Sequence, residues 1–441
     1  MKRLEKLGYS DPVYGYILVA AGVVFLYISF YYFAHDLYEQ FLPIPCMMLL
    51  GALQGRKTEL KNKKMLILPG AMTAWFLIIW LKQGVDAERV YRIGLFFTIY
   101  LFAFPLASLL QDGEKKNALK IFAAAYLAGA AVLTAGTVLL ILDWIPEYFS
   151  WAFCWDGTRL QAFWHPNMTA CFLMIGMVFC VTFLSEVKMH WLKAGLFVLM
   201  AMMLGAMVLT NSRTTLVVTG GYLAITLFFM IIKSRKKWLI LGVVAVILVA
   251  AIILAGTGYF EQDNMDAPKE KSAQIQTNSP QGTFINDLGT LNGRTKICES
   301  AMEAIRDDRS ILIWGVERPG QRVSPYNSFK IAHLHNAWIE TLVGMGVVGF
   351  LIAVVFTLII AWNCLMTLLK HYEDAWKRNV ALLALLLMAA SLLESYLFYT
   401  ITDYHPYNLL FFLCAGYLAH WQEEENRKIL SSLRSRIPFG K

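Results

Sequence analysis

Apolar residues along this chain fall in long blocks rather than in alternation. Twelve blocks stand out, at about 13–34, 41–54, 65–81, 93–110, 121–142, 167–185, 194–210, 214–232, 238–256, 343–362, 379–400 and 408–420. A helix needs about 20 apolar residues to cross the hydrocarbon core of a bilayer. Most of the blocks approach that length, and short polar stretches separate them. The pattern predicts an all-α polytopic membrane protein with about twelve transmembrane helices. One long interruption, 257–335, lies between blocks nine and ten. Its first part, GYFEQDNMDAPKEKSAQIQTNSPQGTFINDLGT, is polar and reads as loop. In its second part Ile297, Ala301, Ala304 and Ile305 recur at helical spacing, which predicts an amphipathic helix over about 293–306 lying on the outer surface. The expected organisation is therefore helices one to nine in 1–256, a large loop in 257–335, helices ten to twelve in 336–420 and a basic tail in 421–441. The opening MKRLEKLGYSDPV runs into a full-length apolar block without a small-residue cleavage site and reads as the lead into a retained first span.

Composition agrees with the blocks. Of 441 residues, 58% are hydrophobic and 16% charged, against roughly 45–50% and about 25% in soluble domains. That balance excludes an ordinary soluble enzyme, a disordered chain and a disulfide scaffold. Most of the seven cysteines lie inside apolar blocks as small hydrophobes.

Charge sets the orientation. With the N-terminus in the cytoplasm, 25 Lys and Arg fall on inner segments, 5 on short outer loops and 9 on the long interruption. Short loops are what the positive-inside rule weighs. Both termini are therefore expected in the cytoplasm and the large loop outside. The net charge of +8 then faces the inner leaflet, and no nucleic-acid partner is needed to explain it. A cysteine introduced in 265–280 is expected to react with an impermeant thiol reagent in intact cells, and one in 58–62 to stay unlabelled. The opposite pattern would reverse the orientation.

Polar residues gather at the predicted outer ends of the helices. Arg213 lies in TNSRTT, the tight turn between blocks seven and eight. Asn167 lies in WHPN, where Pro166 suits a first helical turn and His165 directly precedes it. Glu394 sits inside block eleven near its outer end, with Asp403 and His405 in the turn beyond. An ionisable residue within a span is costly and marks a functional hypothesis. Plainer readings stand beside these. Arg213 on its own is an interfacial arginine that snorkels to headgroups, and Arg294 a solvated helix residue. His335 and Asn336 open an H-N-x9-G-x-x-G pattern that enters block ten through Gly346 and Gly349. Its plain reading is a loop histidine at a helix cap, followed by glycines for close helix packing. His333 and His335 lack a third ligand in the sequence, which argues against a metal site.

Taken in order, these motifs resemble the O-antigen ligase and O-antigen polymerase superfamily of envelope glycosyltransferases, which use glycans linked to polyprenyl pyrophosphate. The resemblance rests on Ser212-Arg213-Thr214, on Asn292-Gly293-Arg294 opening a helix in the large loop, on RTKICESAMEAIRDDRSILIWGVERPG, on the His335-Asn336 pattern and on WHPN. It implies twelve spans with a large outer loop between spans nine and ten. It also implies His335 as the catalytic histidine, either the base or a group that orients the acceptor, and Arg213 and Arg294 as the arginines that hold pyrophosphate. Asn336, Asn167 and His165 follow as substrate-binding candidates. Ala337 stands where the family pattern has an aromatic, which follows here as Trp338.

The implied chemistry is coherent. Outside the membrane no ATP activates sugars, but a polyprenyl pyrophosphate is already a good leaving group. Arginine forks match its oxygens bidentately and stay charged. Two of them supply the charge stabilisation for which other glycosyltransferases use a divalent metal, so no metal and no other cofactor is expected. A neutral histidine can take the proton of an acceptor hydroxyl as it attacks the anomeric carbon, inverting the configuration. Glu340, Asp403 and Glu394 are reserve bases. Their plainer readings are a helix-surface charge, a turn former and a buried hydrogen-bonded carboxyl. The acceptor is a lipid, glycan or protein hydroxyl in a ligase, and a second lipid-linked repeat unit in a polymerase. A twelve-helix transporter or flippase is the competing class, which would tend to show two similar halves.

Overall fold

A computed structural model describes residues 67–83, 112–147, 153–156, 159–162, 166–233, 294–316, 319–326, 334, 336–391, 410–412 and 414–419. In chain order the helices are α1 (Ile67–Gln83), α2 (Asp112–Ile141), α3 (Pro166–Glu186), α4 (His190–Leu209), α5 (Arg213–Lys233), α6 (Arg294–Asp307), α7 (Ser310–Trp314), α8 (Pro319–Val323), α9 (Ala337–Lys370) and α10 (Ala375–Ser391). Residues 410–412 and 414–419 are helical too. By length and composition α3, α4 and α9 can each cross a membrane. The blocks at 13–34, 41–54, 93–110 and 238–256 lie outside the described residues, so the count of twelve rests on the sequence.

The bundle is built around α3. Of its most apolar window 78% is buried, against 17% for α4. Thus α3 is wrapped by protein on all sides, with α2, α4, α5 and α10 against it. By contrast, α4 exposes Trp191, Phe197, Val198 and Leu204 along an outer face, as a lipid-facing helix must. Tyr126 of α2 stacks on Phe172 of α3 at 4.3 Å and donates to the Phe172 carbonyl at 3.1 Å. At the far end of α3, Asn379 Nδ2 of α10 donates to Thr182 Oγ1 at 2.8 Å. Both side chains are buried, so the bond joins two helices where water is excluded.

Two features depart from the sequence expectation. The fold is not purely helical. A hairpin pairs β1 (Phe153–Asp156) with β2 (Arg159–Ala162), antiparallel, with Phe153 opposite Ala162 and Asp156 opposite Arg159. Four-residue strands are too short to print a period-2 pattern between two long apolar blocks. The ring of Phe153 packs on Gly136 of α2, where a Cβ would meet its Cε2 at 2.7 Å, so that glycine lets the hairpin close on the helix.

The second departure concerns the large loop. Ile297, Ala301, Ala304 and Ile305 do share one face of α6, as their spacing predicts. That face does not lie free on a surface. With Ile311, Val323, Leu334 and Val343 it forms a second core, separate from that of the bundle. The start of α9 joins the two, because Val343 belongs to this core while Ala337 and Met345 belong to the main one. Outside both cores Asp308 accepts bonds from the Ser310 hydroxyl and amide and from Arg322. These bonds, with the Ser310 hydroxyl foremost, hold its carboxyl below the usual range.

Helix α9 has 34 residues, about 51 Å at 1.5 Å per residue and well beyond the ~30 Å hydrocarbon core. It breaks at Gly346, whose φ of 66° and ψ of −178° are not helical. Glycine is needed at this point for conformation, while Gly349 serves the close packing expected of both, with Trp75 of α1 beside it. The break interrupts the carbonyl ladder, and Trp75 Nε1 donates to the Met345 carbonyl at 2.9 Å. Trp75 also stacks on Trp314 of α7 at 6.1 Å. Both sides of the break are thereby tied to α1.

Candidate active site at the helix starts

The predicted site residues occupy the first positions of helices. Arg213 begins α5, Arg294 begins α6, Asn167 is the second residue of α3, and Asn336 immediately precedes α9. At such ends backbone N–H groups lack intrahelical partners and the helix dipole favours anions. The side chains of Arg213 and Arg294 lie outside the described residues, as do His165, His335, Glu394, Asp403 and His405.

Local chemistry explains each helix start. Before α5, Asn211 has a φ of 49°, a left-handed conformation that asparagine tolerates and that turns the chain sharply after α4. Ser212 is buried, its N–H reaches Thr210 Oγ1 at 3.3 Å, and its hydroxyl meets that of Thr215 at 3.0 Å. These bonds fix the tight turn that presents Arg213. Before α9, the Asn336 side chain accepts from the N–H groups of Trp338 and Ile339 at 3.0 and 3.1 Å, an N-cap. The capping role considered for the histidine thus falls to its neighbour. His335 is bracketed by Asn336 and by Leu334, which is fully buried in the second core.

Glu340 departs from its plainer reading. It is 1% exposed, so it is not a helix-surface charge. It lies one turn into α9, where its N–H donates to the Asn336 carbonyl at 2.9 Å. A carboxylate there is favourably placed towards the helix N-terminus.

At the start of α3 the structure brings in residues that the sequence reading passed over. Asn167 Oδ1 accepts from Arg159 Nη2 at 2.7 Å, and Arg159 Nε donates to the Thr210 carbonyl at 2.9 Å. Thr169 Oγ1 donates to the Ala162 carbonyl at 3.0 Å and accepts from the Ala162 N–H at 3.3 Å. The hairpin, the first turn of α3 and the turn after α4 are therefore bonded to one another. The signal for Arg159 was available: like Arg213, it is one of the 5 Lys and Arg that the charge count leaves on short loops of the expected outer side.

Residues 195–354 match the family described as O-antigen ligase. That stretch of the chain is an O-antigen ligase domain. No curated protein matches the chain. The domain runs from α4 to the first half of α9 and contains Arg213, Arg294, His335, Asn336 and Glu340. The match supports an enzyme of the O-antigen ligase and polymerase type, a family that works in the membrane on lipid-linked glycans. The hairpin and the start of α3 precede the matched stretch and are bonded to its first turn.

Proposed function

We propose that the protein is an extracytoplasmic glycosyltransferase that moves a glycan from polyprenyl pyrophosphate to an acceptor hydroxyl, as an O-antigen ligase does. The observation that carries the reading is the placement of Arg213 and Arg294 at helix starts within the O-antigen ligase domain. Each position combines a fixed positive charge with the anion-favouring end of a helix dipole. The packing of α9 supports the reading, since its first turns join the core beneath α6 to the bundle that carries α5.

In this mechanism Arg213 and Arg294 grip the pyrophosphate and stabilise the charge that gathers on it as the glycosyl bond breaks. His335 takes the acceptor proton while the acceptor oxygen attacks the anomeric carbon from the opposite face, which inverts the configuration. Asn336, Asn167 and His165 line the donor site, with Glu340, Glu394 and Asp403 in reserve as bases. Neither a metal nor another cofactor takes part, and the active site faces outward from a multi-pass cell membrane protein. Repeat-unit polymerisation differs from this only in the acceptor.

The test is transfer by the purified full-length protein, from a polyprenyl-pyrophosphate glycan to lipid and glycan acceptors, in excess EDTA. Activity is expected to persist. Loss that magnesium or manganese restores would end the metal-free mechanism. Movement of the lipid-linked glycan across proteoliposomes without transfer would instead assign a flippase.

A further inference from the structure

We propose that Arg159 is a positioning residue of this site, clamping the α4–α5 turn that presents Arg213 to the start of α3. The inference rests on the reading of Arg213 as a pyrophosphate ligand, and it adds a residue that lies before the O-antigen ligase domain. One guanidinium spans two helix ends. Its Nε bonds the carbonyl of Thr210 at the C-cap of α4, and its Nη2 bonds the side chain of Asn167 in the first turn of α3. A carbonyl at a helix C-terminus lacks an intrahelical donor, and the negative end of the dipole favours a cation there. The bond to Thr210 thus satisfies an orphan acceptor and places the charge where α4 welcomes it. At the α3 start, where a bare cation is disfavoured, the Asn167 oxygen stands between the helix and the guanidinium.

The platform beneath Arg159 is firm. Its neighbour Leu160 and the strand end Ala162 are both 0% exposed, and Ala162 is held to Thr169 of α3 in both directions. From Thr210 the chain passes through Asn211 and the buried Ser212 to Arg213. A shift at the Thr210 carbonyl is therefore passed on within three residues to the arginine that begins α5. With two nitrogens engaged by protein, Arg159 acts through the turn and not on the substrate. Lysine has one charged nitrogen and cannot reproduce the planar bridge.

The test uses full-length protein in detergent, comparing wild type with Arg159→Ala, Arg159→Lys, Asn167→Ala, Arg213→Ala and the Arg159→Ala/Arg213→Ala double variant. In Arg159→Ala, amide hydrogen exchange at 211–216 is expected to rise about 10-fold, the scale of a lost charge-assisted hydrogen bond, while 172–180 in the middle of α3 stays protected. Binding of polyprenyl pyrophosphate is expected to weaken about 10-fold in Arg159→Ala. It should weaken less in Arg159→Lys, and fall no further when Arg159→Ala is added to Arg213→Ala. That lack of additivity is what a general loss of stability would not produce. Unchanged exchange at 211–216, or additive losses in the double variant, would overturn the clamp. If Arg159→Ala fails to fold, the exchange and binding comparisons on Arg159→Lys and the exchange comparison on Asn167→Ala decide it. If wild type does not bind the lipid, the functional reading falls, and the exchange comparison still decides whether Arg159 holds the turn.

Discussion

Alanine at Arg213 or at Arg294 is expected to weaken binding of a polyprenyl-pyrophosphate donor by about 10- to 150-fold. The figure comes from roughly 1.5–3 kcal/mol for a hydrogen bond to a charged group, with 1.4 kcal/mol per tenfold change. Transfer should fall with binding, because the same contacts stabilise charge on the leaving pyrophosphate. Lysine should restore only part, since it offers a point charge in place of a fork. His335→Ala should behave differently, abolishing transfer while donor binding survives, because its proposed partner is the acceptor hydroxyl. The measurements are donor-lipid binding and single-turnover transfer on detergent-solubilised variants whose folding is checked by size exclusion. Normal donor affinity in both arginine variants would make them interfacial anchors. Wild-type transfer in His335→Ala would remove the histidine from the chemistry.

Gly346→Ala is expected to release the α6–α8 unit from the bundle. The residue occupies a backbone region open essentially to glycine alone. An added Cβ would also stand 2.5 Å from the Ile313 carbonyl oxygen and 2.7 Å from its carbon, which are backbone atoms with little room to yield. Strain of about 1–3 kcal/mol and overpacking of similar size put the loss at about 2–6 kcal/mol. The bond from the Val316 N–H to the Val343 carbonyl, 2.8 Å, spans the same contact and should be lost with it. Limited proteolysis should then cut within 294–326 much faster than in wild type, while 166–233 stays protected. Gly205→Ala in α4 is the control. A Cβ there meets nothing within 4 Å, and alanine in a helix interior stabilises by roughly 0.5–1 kcal/mol. Equal cleavage of Gly346→Ala and wild type would show that the break is not what seats the unit.

The helices could be read from the sequence because a bilayer imposes a one-dimensional rule. A segment that crosses hydrocarbon must be apolar over its whole length and must satisfy its own backbone, and both conditions are local. Block 167–185 therefore became α3 (Pro166–Glu186), and block 214–232 became α5 (Arg213–Lys233), nearly residue for residue. The amphipathic face of α6 was legible for the same reason, since Ile297, Ala301, Ala304 and Ile305 follow the helical period. So were Arg213, Arg294, Asn336 and Asn167 as residues at element boundaries, because polar residues at the ends of apolar blocks stand out. Partners were not legible, because they depend on contacts between residues far apart in the chain. Nothing local tells whether an amphipathic face meets lipid headgroups or Val343 of a helix some forty residues on. Glu340 has the same neighbours in sequence whether it is solvated or 1% exposed. The pattern Gly346-x-x-Gly349 reads as helix packing until Ile313 is found against Gly346. Arg159 was one cation in a short loop until folding set the Thr210 carbonyl and the Asn167 amide on either side of it, 51 and 8 residues away. The sequence by itself marked the long apolar segments and the polar residues that stand at their ends. The tertiary structure decided what those residues touch, because a hydrogen bond or a buried face is completed only by the second group that meets it.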